Sequence, residues 1–430
     1  IHSIFRYLRT IVHAAVFYLA RRQIELPEKQ TFTAQNVSVI VPTVACPDDN
    51  DRLRACLRSI VTSKPAAIYV VTATHRLSYL EWIAVEEFEF AVNIQVLGAE
   101  KLNKRVQMWA ALRQTTTELV VFADDNVFWP NDYLQYLTHA FEDPDVGGAG
   151  TLQRLKRHEK PSFFHFLGTS YLERRNFNTV SPNMIDGAIS TLSGRTSAFR
   201  KSVFDSETFE LEFLNDSWKG KPLNEGDDKF LTRWVYKHDW KIRLIADERA
   251  ILETELDCGL KYFSQCMRWS RGHWRGNFRV MKMESYWYRK HVWSLYATYL
   301  GQFQTPSLLF DGVLTYMLYL LLLDYSSLTV KLSMIVWITW VLLTKVIKLI
   351  PHLTRYPSDL KYLPAAILFA YFHGLLNVYA LLTLQNTCWG NRNLSHPSDE
   401  KAIMASAFEA SSGLEKQRRP DIRSRKSFLK

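Results

Sequence analysis

The chain has 430 residues, 47% of them apolar, and a net charge of +10. That length exceeds one typical domain and leaves room for a globular core and a membrane part together. Nucleic acid is not the expected partner: no nucleic-acid motif accompanies the positive balance, and Arg21, Arg22, Lys345, Lys348, Arg355, Lys361 and the tail from Lys416 to Lys430 lie beside apolar segments, where lipid headgroups and the positive-inside rule account for them.

The chain starts at Ile1, and a segment upstream of it is expected. Residues 4–20 (IFRYLRTIVHAAVFYLA) are short for a span and contain Arg6 and Arg9, which leaves a truncated membrane helix or an interfacial one. Arg21 and Arg22 mark its end as cytosolic. After a polar linker, VSVIVPTV (37–44), IYVV (68–71), IQVL (94–97) and LVVFA (119–123) are short, nearly unbroken apolar runs, the pattern of buried parallel strands. Helices are predicted over 103–115 and 131–142, with Asn131 placed to cap the second. This alternation implies an α/β domain with ligands at the C-terminal ends of its strands.

Residues 261–283 place Phe263, Met267, Trp274, Phe278 and Met281 at helical spacing, with a basic complement of Lys261, Arg268, Arg271, Arg275, Arg279 and Lys282. Such a helix suits a membrane interface, or else packs on the core of the soluble domain. Two apolar stretches follow, about 296–323 and 329–350, each long enough to cross a bilayer, for which about 20 residues suffice. Asp311 interrupts the first and is expected to face other helices or a polar channel. The turn DYSSLT separates the two, and a basic loop follows the second, which puts that loop in the cytosol. The stretch 361–386 is flanked by basic segments on both sides and is read as re-entrant or interfacial, against a third span. The last 30 residues are polar and expected to be disordered. Five scattered cysteines, Cys46, Cys56, Cys258, Cys266 and Cys388, form no zinc spacing or CxxC pair, which suits the cytosol.

Three places carry chemistry. Asp124-Asp125-Asn126 follows the strand LVVFA; adjacent carboxylates there can hold Mg²⁺ or Mn²⁺, or simply make a polar turn. Glu225-Gly226-Asp227-Asp228 opens a predicted helix, as favourable capping or as the seat of a general base. Gln265-Cys266-Met267-Arg268-Trp269 offers a guanidinium for phosphate oxygens and an indole face for a sugar ring, or a lipid anchor.

The order and spacing of these three resemble the processive family 2 glycosyltransferases, the group of hyaluronan, cellulose and chitin synthases, with its DxD-type motif, its acidic triplet ending in Asp and its QxxRW. Asn103-Lys104-Arg105 is similar to that family's GKR segment, Ser193-Gly194 to its acceptor-side SG, and Trp389-Gly390-Asn391-Arg392 to its gating segment. The likeness covers about residues 37–392 and is strongest to hyaluronan-synthase-like proteins, in particular fungal membrane type 2 glycosyltransferases. It implies a GT-A fold in which Asp125, with Asp124, binds the metal and Asp228 is the catalytic base. Lys104 and Arg268 would meet the nucleotide sugar, Trp269, Gln265, Ser193 and Gly194 the acceptor, and Trp389, Gly390 and Arg392 would gate the site. Two departures stand out: Ala123 occupies the place of the first Asp of DxD, and Thr72-Ala73-Thr74 follows the second strand where many members carry an Asp.

The resulting expectation is an α/β GT-A domain with interfacial amphipathic helices and transmembrane helices. Its parts are an N-terminal helix and linker (1–30), a cytosolic catalytic domain (31–255), interface helices with QxxRW (256–295), two transmembrane helices (296–350), an interfacial helix with the gating segment (351–395) and a basic cytosolic tail (396–430). The expected function is inverting transfer from a UDP-sugar to a growing β-linked polysaccharide, by a multi-pass protein of the plasma membrane. The rivals are a single-transfer glycolipid glycosyltransferase and an inactive membrane scaffold. Partners implied are the donor, a polysaccharide or lipid acceptor and membrane lipids, with self-association where a channel needs more helices.

Overall fold

The computed structural model describes residues 2–20, 23–44, 50–88, 93–100, 102–257, 259–283 and 290–387. The first four strands fall on the four apolar runs: β1 Val37–Pro42, β2 Ala67–Ala73, β3 Ile94–Ala99 and β4 Leu119–Ala123. β1, β2 and β4 are buried along their whole length. Val37, Val39, Val41 and Val121 enter one core cluster with Leu57, Ile60 and Tyr133. Ile40, Val120 and Phe122 enter another with Leu112, Phe209 and Trp234. This is the two-residue period of a strand covered on both faces, and each buried side chain contributes about 1.5–3 kcal/mol.

The remaining strands are β5 Val127–Phe128, β6 Val146–Thr151, β7 Gln153–Leu155, β8 Thr196–Arg200, β9 Ser217–Trp218, β10 Lys221–Pro222, β11 Lys241–Ile245 and β12 Leu252–Thr254. The main sheet has the order β11-β6-β8-β4-β1-β2-β3, and β5-β12-β7 form a smaller one. β8 runs antiparallel to both β4 and β6, so the sheet is mixed where the βαβ pattern implies a parallel one. β6 (VGGAGT) escapes a reading of apolar runs for a packing reason. A Cβ at Gly147 would lie 2.6 Å from Trp240, and one at Gly150 3.0 Å from Leu192. Close approach therefore selects glycine where strand propensity favours branched residues.

The helices of this domain are α1 His2–Ala20, α2 Asn50–Thr62, α3 Leu77–Phe88, α4 Lys104–Leu112, α5 Tyr133–His139, α6 Phe163–Asp186, α7 Phe209–Leu214, α8 Asp227–Lys237 and α9 Leu260–Met281. Asn103 caps α4, its side chain accepting from the N–H groups of Arg105 and Val106. Asn131 does not cap α5: the Pro130 turn runs to Tyr133, and Asp132 takes the cap position without a side-chain bond. α1 lies along α6, where Phe17 meets Phe177 and the Ser181 hydroxyl donates to the His13 carbonyl at 3.0 Å. α9 is packed on two sides. Arg275 pairs with Glu225, and Arg279 with Asp216 at 2.5 Å. From the other side, the Trp274 indole donates to the Asn377 carbonyl at 2.9 Å. Arg275 and Arg279 thus turn into the protein, while Lys261 and Lys282 are exposed.

The 296–323 stretch is broken at Pro306, and its helix, Ser307–Leu321, has 15 residues. Proline lacks the N–H that a helix interior needs. Among the described residues, the helices long and apolar enough to cross a membrane are Ser327–Arg355, of 29 residues and mean hydropathy 1.8, and Pro357–Leu382, of 26 residues and mean hydropathy 1.7. Asp311 does face other helices: it is buried, accepts from Arg6 at 2.8 Å and Tyr7 at 3.1 Å, and pairs with Lys345 at 2.8 Å. The Leu363–Leu382 helix has two faces. Ala366, Phe369, His373, Gly374 and Ala380 are buried, while Leu368, Phe372, Leu375, Tyr379 and Leu382 are exposed.

Candidate active site

The site assembles at the C-terminal ends of β1 and β4. The strand β4 ends at Ala123, which still pairs with Thr196 of β8 and is buried. The position of the missing Asp is therefore a strand residue inside the core, and the acidic turn begins one residue later. Asp124 and Asp125 are half-buried. The Thr43 hydroxyl, just past β1, donates to Asp125 Oδ2 at 2.7 Å. Asp124 Oδ1 accepts from Lys104 Nζ at 2.8 Å.

Lys104 opens α4 and is the hub. Its ammonium also lies 3.0 Å from Asp227 Oδ2 and donates to the Gly194 carbonyl at 3.4 Å. Burial alone would lower its pKa, but Asp124 and Asp227 outweigh burial and raise it, so the charge is held. Asp227 is held on the opposite side of the balance: burial opposes its ionisation, while Lys104 and Arg105 bring its pKa below the usual carboxylate range. Gly194 is tight against this group. A Cβ there would lie 3.3 Å from Asp228 Cβ and 3.4 Å from Lys104 Nζ. Ser193 is buried and accepts from the Arg195 N–H at 3.2 Å.

The acidic run 225–228 divides by partner. Gly226 takes φ +77° and starts α8. Glu225 pairs with Arg275 and Asp227 with Lys104. Among the described residues, Asp228 alone of the three has no cation at ion-pair distance. Its Oδ1 accepts from the Lys229 N–H at 2.8 Å. Burial, and then the negative charge of Asp227, push its pKa up. Burial raises Glu225 as well, to about 7, despite Arg275; a carboxylate with a raised pKa is a stronger base, and of the two only Asp228 is not tied to an arginine.

α9 supplies the other wall. The Trp269 ring stacks on Tyr171 of α6 at 4.8 Å between centroids, and the Arg195 guanidinium lies 5.2 Å above it. Arg268 is half-buried, and its charge reaches Glu225 and Arg195. Gln265 Oε1 is buried without a hydrogen-bond partner among the described residues, a cost of about 1–3 kcal/mol that a donor from a ligand would relieve. Thus Lys104, Asp124, Asp125, Ser193, Gly194 and Asp228 come together, with Gln265, Arg268 and Trp269 on the facing helix. Trp389, Gly390 and Arg392, the gating segment, lie outside the described residues. Thr43, Tyr171, Arg195 and Asp227 were not singled out by the motifs. Asp227 sits inside one of them, but Tyr171 is distant in sequence from every other site residue and carries no local signal.

Among the described residues there is no cluster of three or more His, Cys, Asp or Glu that could hold a metal by itself. The donor set is two adjacent carboxylates, Asp124 and Asp125, and that fits Mg²⁺ or Mn²⁺ of the kind bound by one or two carboxylates together with substrate phosphates.

Residues 34–272 match the sequence profile described as Glycosyltransferase like family 2. A type 2 glycosyltransferase of Zymoseptoria tritici is 36% identical over 401 residues, 93% of this chain and 84% of that protein. Hyaluronan synthase 3 of Xenopus laevis is 25% identical over 217 residues, 50% of this chain and 37% of that protein. Among solved structures, the mannosyltransferase PcManGT from Pyrobaculum calidifontis, in complex with GDP-Man and Mn²⁺, superposes with a TM-score of 0.53 at 15% identity, covering 90% of this chain and 98% of that one. At that identity the likeness speaks for the fold, which is GT-A-like. With a profile match over more than half of its length and a relative aligned along nearly all of it, the chain belongs to the family 2 glycosyltransferases and is itself a glycosyltransferase.

Proposed function

We propose that the enzyme transfers a sugar with inversion from a UDP-sugar to an acceptor hydroxyl presented at a membrane surface, with Asp228 as the general base. The observation that carries this reading is the division of the acidic run: Asp227 and Glu225 pair with Lys104 and Arg275, while among the described residues Asp228 has no cation at ion-pair distance. Asp228 removes the hydroxyl proton, the oxygen attacks the anomeric carbon, and the bond from that carbon to the diphosphate oxygen breaks to give a β-linkage and UDP. Lys104 and Arg268 orient the diphosphate and stabilise the charge it gains. A divalent cation held by Asp124 and Asp125 would add Lewis-acid neutralisation of the same leaving group. Trp269 gives the acceptor an apolar floor.

Elongation of a polysaccharide exported from the plasma membrane is the acceptor reading that the motifs support. Single transfer to a lipid is favoured by a different observation: the helix that carries His373 against Tyr171 exposes the apolar stripe of Leu368, Phe372, Leu375, Tyr379 and Leu382, as a helix lying in lipid does. Incubation of membranes with a panel of labelled UDP-sugars, followed by sizing of the product, separates the two. A long ladder supports elongation, and a single chloroform-soluble product supports lipid transfer. Absence of both transfer and UDP-sugar hydrolysis in purified protein overturns the enzymatic reading in favour of an inactive scaffold.

A further inference from the structure

Lys229 follows Asp228 on α8 and is buried. Its backbone N–H is the donor to Asp228 Oδ1, and its stem lies against α9, where a Cβ at Gly276 would meet Lys229 Cδ at 2.6 Å. The ammonium donates to the Thr191 hydroxyl at 2.6 Å and to His273 Nδ1 at 3.0 Å. Both partners are acceptors. The Thr191 hydroxyl gives its own proton to the Ser190 carbonyl at 2.6 Å. Burial, with the charges of Lys229, Arg175 and Arg174, holds His273 neutral, so Nδ1 offers a lone pair to an ammonium that has only donors. Among the described residues no carboxylate is at ion-pair distance from Lys229, and the charges that reach it are those of Asp228, Arg233 and Arg175. A buried cation held by neutral groups is costly, so stability alone does not account for a lysine here. What the lysine supplies is a set of fixed distances.

The elements it joins each carry part of the site. Thr191 opens the loop that leads to Ser193 and Gly194, and a Cβ at Gly194 would lie 3.3 Å from Asp228 Cβ. The same loop is tied to α8 a second time: the Leu192 N–H donates to the Thr232 hydroxyl at 2.8 Å, and that hydroxyl donates to the Asp228 carbonyl at 2.6 Å. His273 is one helical turn beyond Trp269 on α9. We infer that Lys229 is a positioning residue for sugar transfer, a strut that fixes the 191–194 loop and the Trp269 helix relative to Asp228. The inference rests on the reading of Asp228 as base, and it names what holds that base in register with the acceptor side. Register matters because a misplacement of about 1 Å can cost about 10²-fold in rate. The ammonium has a second effect through its charge. It favours the ionised form of Asp228, against burial and Asp227, which oppose it.

The experiment compares wild type with Lys229→Met, Thr191→Val, the double variant and Asp228→Asn. Labelled UDP-glucose, UDP-N-acetylglucosamine and UDP-glucuronate are offered to membranes carrying the full chain, and transfer per enzyme at saturating donor is followed against pH. UDP affinity of each purified protein is the control for folding. Lys229→Met should keep UDP affinity, lose about tenfold to a hundredfold in transfer, and move the acid limb to higher pH, because a positive charge that favoured ionisation is gone. Thr191→Val keeps the ammonium, so transfer should fall while the limb stays. The double variant should fall no further than Lys229→Met, since both changes break the same tie. Wild-type transfer in Lys229→Met overturns the inference, as does a loss of transfer matched by an equal loss of UDP affinity in both single variants, which is a structural role only. Where Lys229→Met alone fails to bind UDP, Thr191→Val decides, and unchanged transfer in it overturns the strut. Transfer retained by Asp228→Asn, or absent from wild type, defeats the reading of the base and the strut with it. Transfer lost in Asp228→Asn but intact in Lys229→Met defeats the strut alone.

Discussion

Glu225 and Asp227 are each held by a cation, and Asp228 is left to burial and to a like-charged neighbour. Replacing Asp228 by Asn keeps the volume and removes the base. Transfer should fall by about 10²–10⁴, while UDP binding, measured by titration of the purified variant, persists. Near wild-type transfer would take Asp228 out of the role. The pH profile follows from the same electrostatics. A base with a raised pKa is protonated over a wider acid range, so kcat should rise with pH through a value above the ordinary carboxylate range. Asp227→Asn removes the negative charge that contributes to the shift, and it also leaves Lys104 with one carboxylate fewer. Both changes favour the ionised form of Asp228, so the acid limb should move to lower pH. A limb that stays in place, followed as kcat against pH in both proteins, would show that another group titrates.

α8 and α9 meet at Gly276, where the Lys229 stem crosses. Two effects of opposite sign compete in Gly276→Ala. A helix-interior alanine gains about 0.5–1 kcal/mol over glycine, and forcing a Cβ to within 2.6 Å of Lys229 Cδ is overpacking, typically about 1–3 kcal/mol. Overpacking wins because Cδ lies mid-stem and Nζ is tied to Thr191 and His273. The variant should melt at lower temperature than wild type in a thermal denaturation series, and a rise in melting temperature would mean that the lysine moves freely. α9 itself is held by Arg275 and Arg279 to Glu225 and Asp216, which is why these two arginines of a face that reads as lipid-facing are turned inward. Asp216 also pairs with Arg105 at 2.9 Å, so one carboxylate ties α4 and α9 around the site.

At the scale of the molecule, the helical part is locked through Asp311. Asp311→Ala leaves buried Arg6 and half-buried Lys345 without their carboxylate, a loss of about 3–5 kcal/mol for a broken buried pair. Thermal melting in detergent should drop markedly, and the additional changes Arg6→Met and Lys345→Met should recover much of it. Failure to recover would mean that the ion pairs are not what Asp311 contributes. Topology is the second matter. Asp359 pairs with Arg157 at 2.8 Å, and Tyr362 donates to the Pro161 carbonyl at 3.1 Å. At the far end, Arg275 donates to the carbonyls of Leu384 and Asn386, each at 3.1 Å. Both ends of the Leu363–Leu382 helix therefore touch the globular domain. By length and apolarity this helix could cross a bilayer, but these contacts favour a helix lying in the interface, and we propose that arrangement with the catalytic domain cytosolic. Single cysteines at Ser358 and Ser412 should react with an impermeant maleimide only after permeabilisation. Labelling at Ser412 alone in intact cells would make the helix a span.

Local pattern was sufficient for β1 to β4, because strands buried on both faces are written as unbroken apolar runs, and for α4 with its Asn103 cap. The family resemblance of the short motifs taken together, and not any one local pattern, singled out Lys104, Asp124, Asp125, Asp228, Arg268 and Trp269, of which the first four lie at or beside the end of an element and the last two lie within α9. Tertiary structure decided what local pattern does not encode. The antiparallel β8 and the glycine-rich β6 belong to the sheet through pairing and close packing with Trp240 and Leu192. The inward turn of Arg275 and Arg279 depends on carboxylates at Glu225 and Asp216, many residues away. Which acids in 225–228 are paired depends on where the Lys104 and Arg275 side chains end, and no spacing within the run could carry that information. The Tyr171–Trp269 stack forms only because α6 packs against α9 and the Leu363–Leu382 helix, a placement fixed by long-range packing.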